Sequence, residues 1–200
     1  MVEELHPFEQ TLEAVREHFP NALMSNISLK EIGIVLKLHP DLDLSSINLH
    51  PGIIIPTPVI YLPRPLNGFT RAFDQEGEQR LIGLGLLDRL AEEQRNTLAK
   101  LATLPEIDGL TWRIPTFGLL ARILENYRIE NNEFLLKREY VWTEDITESV
   151  RHPLVHLIAG YFGTDGLGIS YMLGGFEGSV GIFPVGLPAE LEPVHLHLVQ

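Results

Sequence analysis

The sequence contains no cysteine. That removes disulfides, thiolate zinc sites, iron-sulfur clusters and cysteine nucleophiles, and leaves histidine and carboxylate as the available metal ligands. It is also short of positive charge. Lys and Arg total 15 against 27 Asp and Glu, a net charge of -12. A field of that sign repels phosphate backbones and anionic headgroups, so no nucleic-acid partner is expected. Long hydrophobic runs are missing as well: no stretch reaches the roughly 18 apolar residues that a spanning helix requires. Residues 166–183 come closest, but Glu177 interrupts them and glycines dilute them. The opening residues carry acidic groups and no apolar core, unlike a secretory signal or an Arg-rich transit peptide, so the expected location is cytoplasmic.

What the chain has is a core. Its 200 residues are 44% hydrophobic and 21% charged, with a mean hydropathy of +0.07, which suits one well-packed domain. Phe8, Leu12, Val15 and Phe19 recur at helical spacing ahead of Pro20, predicting a helix over residues 7–19. Ser28 and Glu31 read as a capping box for a short helix ending at Leu36, although Ile32, Ile34, Val35 and Leu36 would also suit a strand. Between residues 40 and 66 the prolines 40, 51, 56, 58, 63 and 65 argue against both a helix and a central strand. With Ile53, Ile54, Ile55, Val59, Ile60 and Leu62 in it, that segment reads as a packed extended strap.

Leu81, Leu84, Leu87, Leu90, Leu98 and Leu101 give the apolar stripe of a helix over residues 76–104, closed by Pro105. Leu119, Leu120, Ile123, Leu124 and Tyr127 form the face of another, with Pro115 near its start and a turn at Asn131 and Asn132. A further helix is expected over residues 134–141. Thr143 suits the N-cap of one whose first turn holds Glu144 and Asp145, and Leu154, Leu157, Ile158 and Tyr161 extend the apolar face. The four-residue steps Ser170, Gly174 and Gly178 leave a smooth surface for a helix or an apolar ligand. Residues 194–199 alternate apolar residues with His195 and His197 and could be a strand or a chain end. Together these patterns predict an all-α fold, a single-domain helical bundle with a long proline-rich extended connection over residues 40–66.

His152 and His156 lie four apart, so on a helix both imidazoles would leave one face and could share a divalent metal, zinc or magnesium; the other reading makes one a cap and the other a packing residue. His6, His18, His39 and His50 read as structural. No strand-turn-helix glycine fingerprint or phosphate loop is found. Gly168-Ile169-Ser170 is not followed by the glycine of a nucleophile elbow, because Met172 stands there.

The run Arg151-His152-Pro153-Leu154-Val155-His156-Leu157-Ile158-Ala159-Gly160-Tyr161, followed by Thr164-Asp165-Gly166-Leu167-Gly168, resembles the signature of the ubiquinone-biosynthesis family known as the fourth coenzyme Q protein. That signature is His-Asp-x-x-His with a glutamate downstream, a glycine step after the second histidine and a Leu-Gly step before the glutamate. Leu104-Pro105 and Thr116-Phe117-Gly118 are similar to further stretches of the family. Pro153 stands where the family has its aspartate and Gly168 where it has its glutamate; Asp165 and Glu177 are the nearest other carboxylates.

The resemblance implies an almost all-helical protein serving the assembly of prenylated quinones at a membrane surface. It would bind a prenyl lipid or prenylated quinone intermediate in an apolar tunnel lined by Leu84, Leu87, Leu157, Tyr161 and Gly174. Its partners would be other quinone-biosynthesis proteins, with peripheral membrane contact. Two alternatives stand beside it. One is a metal-dependent ring decarboxylase with His152 and His156 as ligands. The other is a protein-interaction module without small-molecule chemistry, whose strap docks a partner or forms a homodimer.

Overall fold

The computed structural model describes residues 7–28, 30–52, 57–66, 101, 103–147, 149–151, 155–172 and 180–189. Over these residues the chain is built mainly from two β-sheets. The helix α1, Pro7–His18, is where the spacing of Phe8, Leu12 and Val15 placed it. All three are buried, against Ala22, Ile60, Leu62 and Leu104. Strands β1 (Leu23–Ile27), β3 (Thr57–Tyr61), β9 (Val185–Pro188) and β4 (Leu110–Arg113) form an antiparallel sheet in that order. Alternation along β3 divides two cores. Ile60 and Leu62 face α1, whereas Val59 and Tyr61 face the main cluster on the other side.

The second sheet has the order β2 (Leu36–Leu38), β7 (Gly166–Met172), β6 (Val155–Gly163), β5 (Tyr140–Thr147) and β8 (Val180–Gly181). Strands β5, β6 and β7 are an antiparallel meander, and the short edges β2 and β8 pair in parallel. Between the sheets lies α2, Phe117–Asn131, whose residues from Phe117 through Leu124 are all buried. Its core cluster takes in Ile27, Val59 and Tyr61 from one sheet and Val141, Leu157, Ala159 and Ile169 from the other. A helix whose first two turns are buried all round, with only Arg122 charged among them, belongs in the middle of a structure at that end. The layers therefore run α1, four-stranded sheet, α2, five-stranded sheet.

Thr116 caps α2 by accepting from the Leu119 amide at 3.2 Å, and Asp145 on β5 accepts from the Phe117 amide. Gly118 is required here, since a side chain would run into the backbone carbonyls of Leu49 and His50. At the far end Asn132 adopts the left-handed conformation (φ 53°) and its amide closes on Arg128 O, the turn expected at Asn131 and Asn132. Arg122 pins two loops to this helix: its guanidinium donates to the carbonyls of Lys30, Leu49 and Gly118.

The all-α bundle expected from the sequence is overturned by the two sheets. The spacing of Leu157, Ile158 and Tyr161 fits a helix, yet it also fits a strand with apolar residues on both faces. β6 is that strand, buried from Val155 through Gly160. Thr143 does not cap a helix; it lies within β5, and its hydroxyl donates to Leu157 O across the sheet at 3.0 Å. No helix forms between Lys30 and Leu36 or over residues 134–139, where the chain loops before β2 and β5. The strap over residues 40–66 contains a 3-10 turn, Leu44–Ser46, and the central strand β3. Pro58 is tolerated because only β1 pairs beside it. β9 joins β3 at Ile60 and Tyr61, beyond the missing donor. The helix expected over residues 76–104 falls almost wholly outside the described residues, as do residues 194–199. No helix among the described residues is long and apolar enough to cross a membrane.

Candidate functional site

An open groove of about 750 Å³ lies at one end of the four-stranded sheet. Its floor is where β1 begins and β3 ends, since Leu23 pairs with Tyr61 there. Arg16, Pro20 and Leu23 line it from the α1 side, Pro63 and Arg64 from beyond β3, and Tyr127, Glu133 and Leu135 from α2 and the loop after it. Helix and sheet chemistry explains the placement. Arg16 follows Val15, whose burial fixes the rotation of α1, and the Phe19-to-Ala22 turn carries the chain directly into β1. On the other wall, left-handed Asn132 ends α2 and turns Glu133 back toward Tyr127.

The groove carries charge of both signs. Arg16 uses Nε on Ala22 O at 3.3 Å and Nη1 on Glu13 Oε1 at 3.0 Å, leaving Nη2 without a partner among the described residues. Arg64 is exposed and makes neither a hydrogen bond nor an ion pair among them. Opposite, the Tyr127 hydroxyl lies 3.5 Å from Glu133 Oε2, the long limit of a hydrogen bond. Burial, with Glu133 beside it, raises the Tyr127 pKa. Beneath it, burial first and then Glu130 and Tyr127 hold the Tyr61 phenol well above its ordinary value. Both phenols therefore remain protonated donors at neutral pH. No ion pair joins Glu133 to either arginine among the described residues.

A second polar cluster gathers on Asp41. Its Oδ2 accepts from the Tyr171 hydroxyl at 3.0 Å and meets Arg151 Nε at 3.2 Å, while its carbonyl accepts from the Val150 amide. The His39 ring stands edge-on to Tyr171, with centroids 5.1 Å apart. These contacts tie the loop after β2 to the ends of β5 and β7. The carboxylate is already engaged by a cation and a phenol, which fits a structural hub better than a reacting group.

Of the residues singled out in the sequence, His156 lies in β6, 4% exposed, with its ring edge-on to Trp142 at 5.7 Å. Along a strand a four-residue step returns to the same face but spans roughly 13 Å, so β6 does not supply the close pairing that a helix would give. His152, Leu84, Leu87 and Gly174 lie outside the described residues. Leu157 is sealed in the core between the sheets. Tyr161 stands 49% exposed at a bulge in β6, with φ 48° and its ring against Tyr140. Leu157 and Tyr161 thus do not share one apolar lining. Among the described residues no group of three or more His, Asp and Glu side chains gathers where a metal could be held. Sequence reasoning passed over Arg16, Arg64 and Glu133, and read Tyr127 only as part of a helix's apolar face. The one local signal was Arg64, set between Pro63 and Pro65 where no helix or strand could claim it.

No family model, curated protein or solved structure matches the chain.

Proposed function

We propose that this chain is a protein-interaction module that holds an extended, carboxylate-bearing peptide segment in the groove at the Leu23 end of the four-stranded sheet. The observation that carries this reading is the placing of Arg16 and Arg64 on one concavity of a chain whose net charge is -12. Guanidinium groups match carboxylates in a forked, charge-assisted geometry, and Arg64 has all its donors free of described partners. Pro20, Leu23, Pro63 and Leu135 supply apolar wall between the polar groups. Such a mixture suits a chain segment that offers both backbone and side-chain contacts.

The stretch of the strap that the sequence offered as a docking surface, Ile53 to Leu62, is not this groove: Val59, Ile60, Tyr61 and Leu62 are core residues, Ile53 to Ile55 lie outside the described residues, and only Pro63 and Arg64 just beyond it reach the groove. The prenyl-lipid reading has no comparable support, since it needed a helical lining shared by Leu157 and Tyr161, which lie in a strand, one sealed in the core and the other half exposed.

Fluorescence anisotropy tests the proposal. The probe is a labelled hexapeptide of alanine and leucine with two glutamates, compared with its glutamine counterpart. The protein should bind the glutamate peptide at least ten-fold more tightly, and Arg64→Gln should erase the preference. Equal binding of both peptides by the unaltered protein overturns it.

A further inference from the structure

Resting on that groove reading, we infer that the segment it recognises carries a basic group as well as a carboxylate, so that one ligand spans the groove from Arg64 to Glu133. The groove leaves Arg64 and Glu133 without an ionic partner among the described residues. Arg16 lines it from α1, Arg64 from beyond β3 and Glu133 from the loop after α2, yet no ion pair joins Glu133 to either arginine among the described residues. Arg16 is held by Glu13 and by Ala22 O, and Glu133 has only the long contact from the Tyr127 hydroxyl. Opposite charges are therefore held apart on one concavity, each with capacity for another partner.

The charge of the whole chain gives the second reason. At -12 the protein repels a purely acidic segment at long range, and each carboxylate added to a ligand deepens that repulsion. A segment whose carboxylate is balanced by an amine avoids it and gains a site of its own at Glu133. Specificity also follows: an all-basic peptide meets two arginines, and an all-acidic one sets like charge against Glu133. Both are disfavoured by groups already in place.

The test is a series of labelled hexapeptides of alanine and leucine with one glutamate and one lysine set one to four positions apart. Their affinities are compared with that of the two-glutamate peptide. One spacing should bind at least ten-fold more tightly than the two-glutamate peptide. Glu133→Gln should bring the two within two-fold of each other, while Arg64→Gln weakens both. Glu133 is exposed, and matched thermal melts of parent and variant confirm that the fold is intact. If no spacing exceeds the two-glutamate peptide, or if the gain survives Glu133→Gln, this inference is overturned while an Arg64-dependent preference for carboxylate stands. If neither peptide depends on Arg64, the groove reading itself falls.

Discussion

Arg122 brings a positive charge into the interior with no carboxylate at ion-pair distance among the described residues; it is 9% exposed. Four hydrogen bonds of 2.9 to 3.2 Å to the carbonyls of Lys30, Leu49 and Gly118 replace its hydration. Desolvation lowers its pKa, but a guanidinium starts high enough to stay charged. Arg122→Met would leave those carbonyls short of donors and release two loops from α2, and should cost about 3 kcal/mol or more in urea unfolding. Arg122→Lys should recover less than half, because an ammonium cannot reach three carbonyls from one planar fork. A loss under about 1 kcal/mol in the methionine variant would show that water replaces the arginine. None of this could be read from the sequence, where position 122 looks like a solvated helix residue. Gly160 and Gly168, matched in the sequence to steps of a family signature, have a steric role in this fold. They face each other across β6 and β7, where a side chain at 160 would strike Glu139 O.

At the level of elements, α2 and β5 are coupled through Asp145. The carboxylate takes the Phe117 amide at the helix start, and burial pushes its pKa up to about 6 from 3.8, assisted by Glu144 and opposed by the Phe117 and Thr143 hydrogen bonds. A raised carboxylate binds its proton more tightly in the folded state than in the unfolded one. Stability from this group is therefore greatest below pH 3.8 and falls as pH rises to about 6, above which the full penalty is present. Asp145→Asn keeps an oxygen for Phe117 and removes the charge. Its gain over the parent in urea unfolding should grow from near zero at about pH 4 to about 2 kcal/mol at about pH 7. A gain that does not change with pH would refute this account of the carboxylate.

Legibility divided along the same lines. α1 and α2 were readable because Phe8, Leu12 and Val15, and Leu119, Leu120, Ile123 and Leu124, match one period and have proline or asparagine at their ends. β6 was not, because a strand buried on both faces loses its alternation, and Val155 through Ala159 is apolar at nearly every step; β5 was hidden by the helix-start pattern inside it. Thr143, Glu144 and Asp145 imitated a helix start. Asp145 does serve one, but the helix belongs to a segment 28 residues earlier in the chain.

For the molecule as a whole, the groove was beyond sequence reasoning, since its walls come from residues 16, 64, 127 and 133, which only the layered packing brings together. The same packing places the first two turns of α2 where neither sheet can leave without exposing it. Deuterium uptake should therefore be slowest at the amides of residues 120–124, released only when the entire fold opens, and fast at Ile129 and beyond, where the helix reaches solvent. The last part of the protein to feel water would be a helix, in a chain whose architecture belongs to its strands.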